Sequence, residues 1–167
     1  MKRRYNKKFY YDRIQLIRNK IPHISIGVDV IVGFPTETDK DFDATYELLK
    51  ELEVSYLHVF PYSERDNTEG INIKPEVPQS IRNERSKKLR KLSDILKSEF
   101  LIKNMAKNHS VLVEGVDSDD VHGYTENYIK VRIDNKGINI NQLVEIKPIL
   151  KSNNYITGER IWLVIPL

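Results

Sequence analysis

The sequence contains no cysteine. Disulfides, thiolate nucleophiles, cysteine-ligated zinc and cysteine-ligated iron–sulfur clusters are therefore excluded from this chain. It has no apolar run close to the roughly 20 residues that a transmembrane helix needs. The opening MKRRYNKKFYYDR lacks the apolar core of a secretory signal. A cytoplasmic chain with no membrane partner is the expectation. The four histidines, His23, His58, His109 and His122, lie at no metal-ligand spacing from one another, so no metal site is expected. There is no internal repeat and no low-complexity tract.

What is present is a foldable composition, 40% hydrophobic and 31% charged. A length of 167 residues suits one ordinary domain, or part of a larger domain plus a small one. The net charge of +3 is unevenly spread. Lys2, Arg3, Arg4, Lys7, Lys8, Arg13, Arg18 and Lys20 face one acid, Asp12, near the start. Residues 37–53 are acidic, and residues 82–107 are basic again. Such stretches are either solvated helix faces or local fields that a polyanion would feel.

Helical spacing of Tyr10, Ile14, Ile17 and Ile21, stopped by Pro22, predicts a helix over residues 7–20. ISIGVDVIVGF, residues 24–34, is apolar almost throughout and predicts a strand covered on both sides, as in a parallel sheet. Thr38 and Asp41 resemble a capping box at the start of a helix that runs to about Leu52. VSYLHVF, residues 54–60, is the next strand, residues 61–78 are irregular, and a long helix covers 79–107. Helix and strand alternation calls for parallel strands with helical crossovers. Two strands are too few to close such a sheet, and no strand precedes the first helix, so strands missing upstream are expected. From Ser110 the short candidates SVLVEGV, GYTENYIKVRI, QLVEIKPIL and RIWLVI predict a small barrel or sandwich of about five strands, with Trp162 in its core.

Two segments carry the chemistry. In Asp29-Val30-Ile31-Val32-Gly33-Phe34-Pro35 a carboxylate sits inside an apolar strand. Burying it costs several kcal/mol unless it is paired. Near the C-terminal end of a parallel strand it can instead face a ligand mouth. Gly33 permits close backbone approach and Pro35 fixes the turn. The alternative is a βα turn with a surface aspartate. In Phe60-Pro61-Tyr62-Ser63 a strand ends in an aromatic loop that can hold a flat heterocycle, or simply pack on a rim.

IVGFPTET followed by DF, then HVFPYSERDNT at the end of the next strand, resembles the radical-SAM tRNA methylthiotransferase family. Met1-Lys2-Arg3-Arg4-Tyr5 resembles the run that precedes the first helix in that family. GYTENYIKV and TGERI resemble its terminal RNA-binding TRAM module. Two positions depart from the pattern: Thr36 and Asn67 stand where the family usually has glycine. LHVFPYS and the basic NERSKKLRKLSDIL look most like the branch acting on N6-threonylcarbamoyladenosine.

The resemblance implies an α/β part, residues 1–107, that is the last portion of an incomplete parallel radical-SAM barrel. It implies an all-β TRAM or OB-like barrel at 108–167. The parent enzyme would 2-methylthiolate N6-threonylcarbamoyladenosine at position 37 of tRNA, using S-adenosylmethionine and two 4Fe–4S clusters. The clusters would be held by cysteines this chain lacks, so the chain alone is expected to be inactive. The partners would be the tRNA anticodon stem-loop and the N-terminal portion of the enzyme. By resemblance, Arg3 would approach the methionine carboxylate of the cofactor and Asp29 its ribose or amino group. Val32, Gly33 and Phe34 would line the adenine, flanked by Phe60, Pro61 and Tyr62. Tyr124, Asn127, Tyr128, Lys130 and Arg132 would contact RNA. The alternatives are the isopentenyladenosine or ribosomal-protein branches, a stand-alone RNA-binding protein, or an unrelated α/β enzyme using Asp29 and Glu37.

Overall fold

The computed structural model describes residues 4–161. The chain forms two compact units that divide between Lys97 and Ser98, inside a long helix. The sequence placed the boundary after that helix. It lies within it because Leu101, one turn past the division, is buried in the core of the second unit.

The first unit runs α1 (Lys7–Lys20), β1 (Gly27–Val32), α2 (Asp39–Glu51), β2 (Tyr56–Pro61), a short 3-10 turn (Glu69–Asn72) and most of α3 (Gln79–Asn104). The Asn6 side chain caps α1 by accepting the Phe9 N–H at 2.9 Å. Thr38 and Asp41 form the expected capping box of α2. β1 and β2 pair in parallel, with Asp29 opposite His58 and Ile31 opposite Phe60.

The sheet is not covered on both sides as the sequence suggests. β1 alternates strictly: Val28, Val30 and Val32 are buried, whereas Gly27, Asp29 and Ile31 are exposed. The buried face packs on Phe42, Leu49, Leu89, Leu92 and Leu96 from α2 and α3. The open edge of β2 is met by α3, where Ser93 Oγ accepts the Leu57 N–H at 2.8 Å. Pro61 at the strand end has no N–H to leave unpaired.

The second unit is a closed five-stranded barrel in the order β3-β4-β5-β7-β6. Its strands are β3 (His109–Val116), β4 (Asp120–Thr125), β5 (Lys130–Asp134), β6 (Leu143–Lys151) and β7 (Ile156–Arg160). β5 and β7 pair in parallel, while the other contacts are antiparallel. Val111, Val113, Val121, Val131, Ile133, Val144, Ile146 and Ile156 fill the interior. GYTENYIKVRI is a hairpin rather than one strand. Its turn is closed by Thr125 Oγ1, which accepts the Ile129 N–H at 2.9 Å. β7 covers Ile156–Arg160; of the expected strand RIWLVI only Arg160 and Ile161 are described, and Trp162 with the residues after it lies outside the described residues. Among the described residues no helix is long and apolar enough to cross a membrane.

Candidate functional site

The open face of the first unit's sheet leads into a groove of about 820 Å³. Asp29 and Ile31 of β1, Phe60 of β2, and Phe34 and Tyr62 from the loops after the strands line it. Pro61 and Arg65 also contribute. The volume is that of a small-molecule site. Tyr62 is fixed from two sides. Its N–H donates to Val32 O at 2.8 Å, extending the strand pairing by one residue. Its ring meets Phe34 edge-on, with centroids 5.1 Å apart at 73°. Asp29 makes no ion pair among the described residues, and its charge is felt nearby. Burial pushes the Tyr10 phenol up, and Tyr5 and Asp29 add to that shift. Aromatic edges beside a free carboxylate suit a flat heterocycle bearing hydrogen-bond donors.

Of the sequence-derived residues, Asp29, Phe34, Phe60, Pro61 and Tyr62 come together here. Val32 does not. It is buried on the helix-covered face, because alternation turns it away from Asp29. Gly33 is beside the groove rather than in its lining. It takes φ +75°, donates its N–H to Glu37 Oε2 at 3.0 Å, and leaves room for the stem of Arg82. A Cβ there would lie 2.4 Å from Arg82 Cγ. Arg3 lies outside the described residues.

Two buried arginines on α3 hold the loops that flank the groove, and neither stands out from the basic stretch 82–107 in the sequence. Arg82 Nε donates to Val77 O at 2.7 Å and Nη1 to Tyr62 O at 2.9 Å. Its Nη2 bonds Glu64 at 2.6 Å, and the guanidinium stands 5.4 Å from the Tyr62 ring. This hydrogen bond holds the Glu64 carboxyl below its ordinary range. Arg85 bonds Glu37 Oε1 and Asp39 Oδ1, each at 2.7 Å. Thr36 and Asn67, on the flanking loops, both have positive φ, at 72° and 64°. These are the two positions where the resemblance leads one to expect glycine.

On the barrel, β4 and β5 present a second candidate surface. Tyr124 is paired with Lys130 and His122 with Arg132, all on the outward face. Arg132 stands 5.1 Å over the Tyr155 ring. Tyr128, at the hairpin turn, is 82% exposed at φ +62°, 6.3 Å from the Tyr124 ring. His122 and Tyr155 join this face without having been singled out from the sequence.

Asn127 points inward instead. Its Nδ2 donates to Asn104 Oδ1 at 2.9 Å, and its Oδ1 accepts from Thr125 Oγ1 at 2.7 Å. Beneath the hairpin, His109 is wholly buried between Asn104 O at 2.9 Å and Glu126 Oε1 at 3.0 Å. Burial raises the Glu126 carboxyl, but its own backbone N–H, His109 and Lys107 outweigh that and hold it low.

No protein-family model matches the chain. It is similar to the threonylcarbamoyladenosine tRNA methylthiotransferase of Aquifex aeolicus, 41% identical over 79% of this chain and 31% of that protein. The same-named protein of Bacillus subtilis is 32% identical over 98% of this chain and 38% of its own length. The tRNA-2-methylthio-N(6)-dimethylallyladenosine synthase of Clostridium botulinum is 34% identical over 96% of this chain and 36% of its own length. The chain thus spans about a third of the length of these curated relatives.

Proposed function

This chain belongs to the tRNA methylthiotransferase family, and from that premise we propose that it supplies two parts of such an enzyme. The first is one wall of an S-adenosylmethionine site on an incomplete radical-SAM barrel. The second is a TRAM-like RNA-binding barrel. The observation that supports the first part is the convergence of Asp29, Phe34, Phe60 and Tyr62 on one groove. That lining fits the adenosyl half of the cofactor. The ring edges of Phe34 and Tyr62 flank a purine, and the Asp29 carboxylate accepts from a ribose hydroxyl or an amino group. Bound there, S-adenosylmethionine supplies radical-generating and methyl-donating chemistry. The chain's own residues do something narrower. They hold the adenosyl group, keep one side of it dry and fix Tyr62 through the Arg82 contacts. Since the sequence has no cysteine, ligands for two iron–sulfur clusters fall to the remaining part of the parent.

In the barrel, Tyr128 and Tyr124 offer stacking surfaces for unpaired bases of an anticodon stem-loop. Lys130 and Arg132 offer phosphate contacts. Asn127 shapes the turn from inside. We assign the parent to the threonylcarbamoyladenosine branch, supported by the 41% identity to the Aquifex protein. The dimethylallyladenosine branch is the second reading. The Clostridium botulinum protein is 34% identical over nearly the whole chain, level with the 32% of the Bacillus protein.

Saturation-transfer NMR of S-adenosylmethionine with the chain tests the cofactor wall. Transfer to the adenine protons, lost in Tyr62→Ala and weakened in Asp29→Asn, is expected. Transfer that is absent, or indifferent to both substitutions, sinks the assignment. A chimera carrying this chain in a relative of either branch, read by nucleoside mass spectrometry of tRNA, decides the substrate.

A further inference from the structure

Ser86 lies on α3 and is 2% exposed. Its hydroxyl is buried and has no hydrogen-bond partner among the described residues. A helical serine ordinarily returns its hydroxyl to a carbonyl of the preceding turn. An orphaned buried hydroxyl is costly, so its retention calls for an explanation. Ser86 lines a cleft of about 440 Å³ with Pro61, Asn83, Lys87, Arg90 and Lys91.

The spacing of residues 83, 86, 87, 90 and 91 places them on one face of the helix. Lys87, Arg90 and Lys91 are exposed and form no ion pair among the described residues. Lys88, one position away, is already engaged with Glu84 at 2.9 Å. Asn83 accepts from Gln79 through Oδ1 at 3.0 Å, which leaves its amide N–H groups free to donate. Donors of one kind therefore converge: a hydroxyl, an amide and three unpaired cations. Asp94, at the far end of the cleft, is the one acid that lines it. Such a set matches a tetrahedral oxyanion with a charged outer edge.

We propose that this cleft on α3 is a phosphate site that takes a backbone phosphodiester of the RNA substrate, with Ser86 as the inner donor and Lys87, Arg90 and Lys91 as the outer cations. The site belongs to the first unit and is separate from the barrel face. It rests on the reading that the chain meets RNA.

The test measures binding of a synthetic anticodon stem-loop RNA to the full chain as a function of salt. Each lost phosphate contact lowers the slope of log K against log salt by about 0.7 to 0.9. Arg90→Ala is therefore expected to weaken binding about fivefold at 0.1 M salt and to converge with the parent chain at high salt. The triple Lys87→Ala, Arg90→Ala, Lys91→Ala variant loses more. Lys88→Ala, on an already paired lysine, leaves the slope unchanged.

Ser86→Ala gives readouts of opposite sign. It weakens RNA binding several-fold yet raises the unfolding temperature, because an unpartnered hydroxyl has gone. An unchanged slope for the triple variant, or an equal drop for Lys88→Ala, overturns the site. So does a Ser86→Ala variant that binds RNA normally. If inorganic phosphate shifts the Ser86 amide resonance while RNA affinity ignores the substitutions, the cleft takes free phosphate only and the inference fails. Loss of association with the rest of the parent enzyme, with RNA binding intact, makes the stripe a protein contact and also overturns it. A parent chain with no RNA affinity sinks the RNA reading as a whole. Normal affinity with insensitive variants sinks this site alone.

Discussion

Replacing Thr36 with glycine should make the first unit more stable, although it deletes a side chain. Thr36 holds φ +72°, a region that costs an L-residue about 1–2 kcal/mol and is least tolerable for a β-branched one. Its side chain is exposed and makes no hydrogen bond among the described residues. The one bond the residue contributes, from its N–H to Pro75 O at 2.9 Å, comes from the backbone and survives. Against the relieved strain stands the extra freedom of glycine in the unfolded chain, about 0.4–1 kcal/mol. The net gain is about 0.5–1 kcal/mol, or a few degrees in unfolding temperature.

Asn67→Gly is the matched control. Asn67 also has positive φ, but asparagine tolerates that region, so its net effect should be near zero. Far-UV circular dichroism is the right probe, because α1, α2 and most of α3 belong to the first unit. The single tryptophan lies in the sequence of the other unit. A Thr36→Gly chain no more stable than Asn67→Gly would refute the strain argument.

Arg82→Ala should cost about 2–4 kcal/mol, since it orphans Val77 O and Tyr62 O and leaves Glu64 unpaired. Glu64→Gln should cost much less, because that carboxylate is 39% exposed and its ion pair is screened by solvent; urea titration separates the two. Tyr128→Gly should weaken stem-loop binding by about 1–3 kcal/mol if the ring stacks on a base, with no loss of stability. Asn127→Ala should do the reverse, costing the barrel about 1–3 kcal/mol through unpaired Asn104 and Thr125. Glu126 has a folded pKa held below its unfolded value, so its contribution is present above about pH 4.3 and lost as pH falls through the folded pKa. Acid titration of Glu126→Gln should lack that component.

The elements were legible where the signal is local. Thr38 and Asp41 announced α2, the apolar spacing announced α1, and the long helix expected over 79–107 is α3, Gln79–Asn104. The strand GVDVIV misled because an exposed Ile31 sits between buried valines, which made an alternating strand look continuously apolar. Asp29 was the true marker of its open face. The hairpin in GYTENYIKVRI was hidden because its turn uses no glycine and forces a tyrosine to positive φ. Arg82 and Arg85 read as ordinary helix charges. Their carboxylate partners, in loops and at the first residue of α2, lie 18 to 48 residues away, which no local pattern encodes. The parallel β5–β7 pairing that closes the barrel is likewise a long-range fact.

The Arg82 side chain acts as a single pin behind Tyr62, one of the residues that line the groove. One planar group grips the loop at Tyr62 and Glu64 and the stretch at Val77, while its stem occupies the space that Gly33 vacates. A molecule that tilts the Tyr62 ring must therefore tug on the segment leading into α3 and on the bend after β1 together. The two loops that follow the strands should loosen or tighten in concert, and a methyl group added at Gly33 should be felt at Glu64.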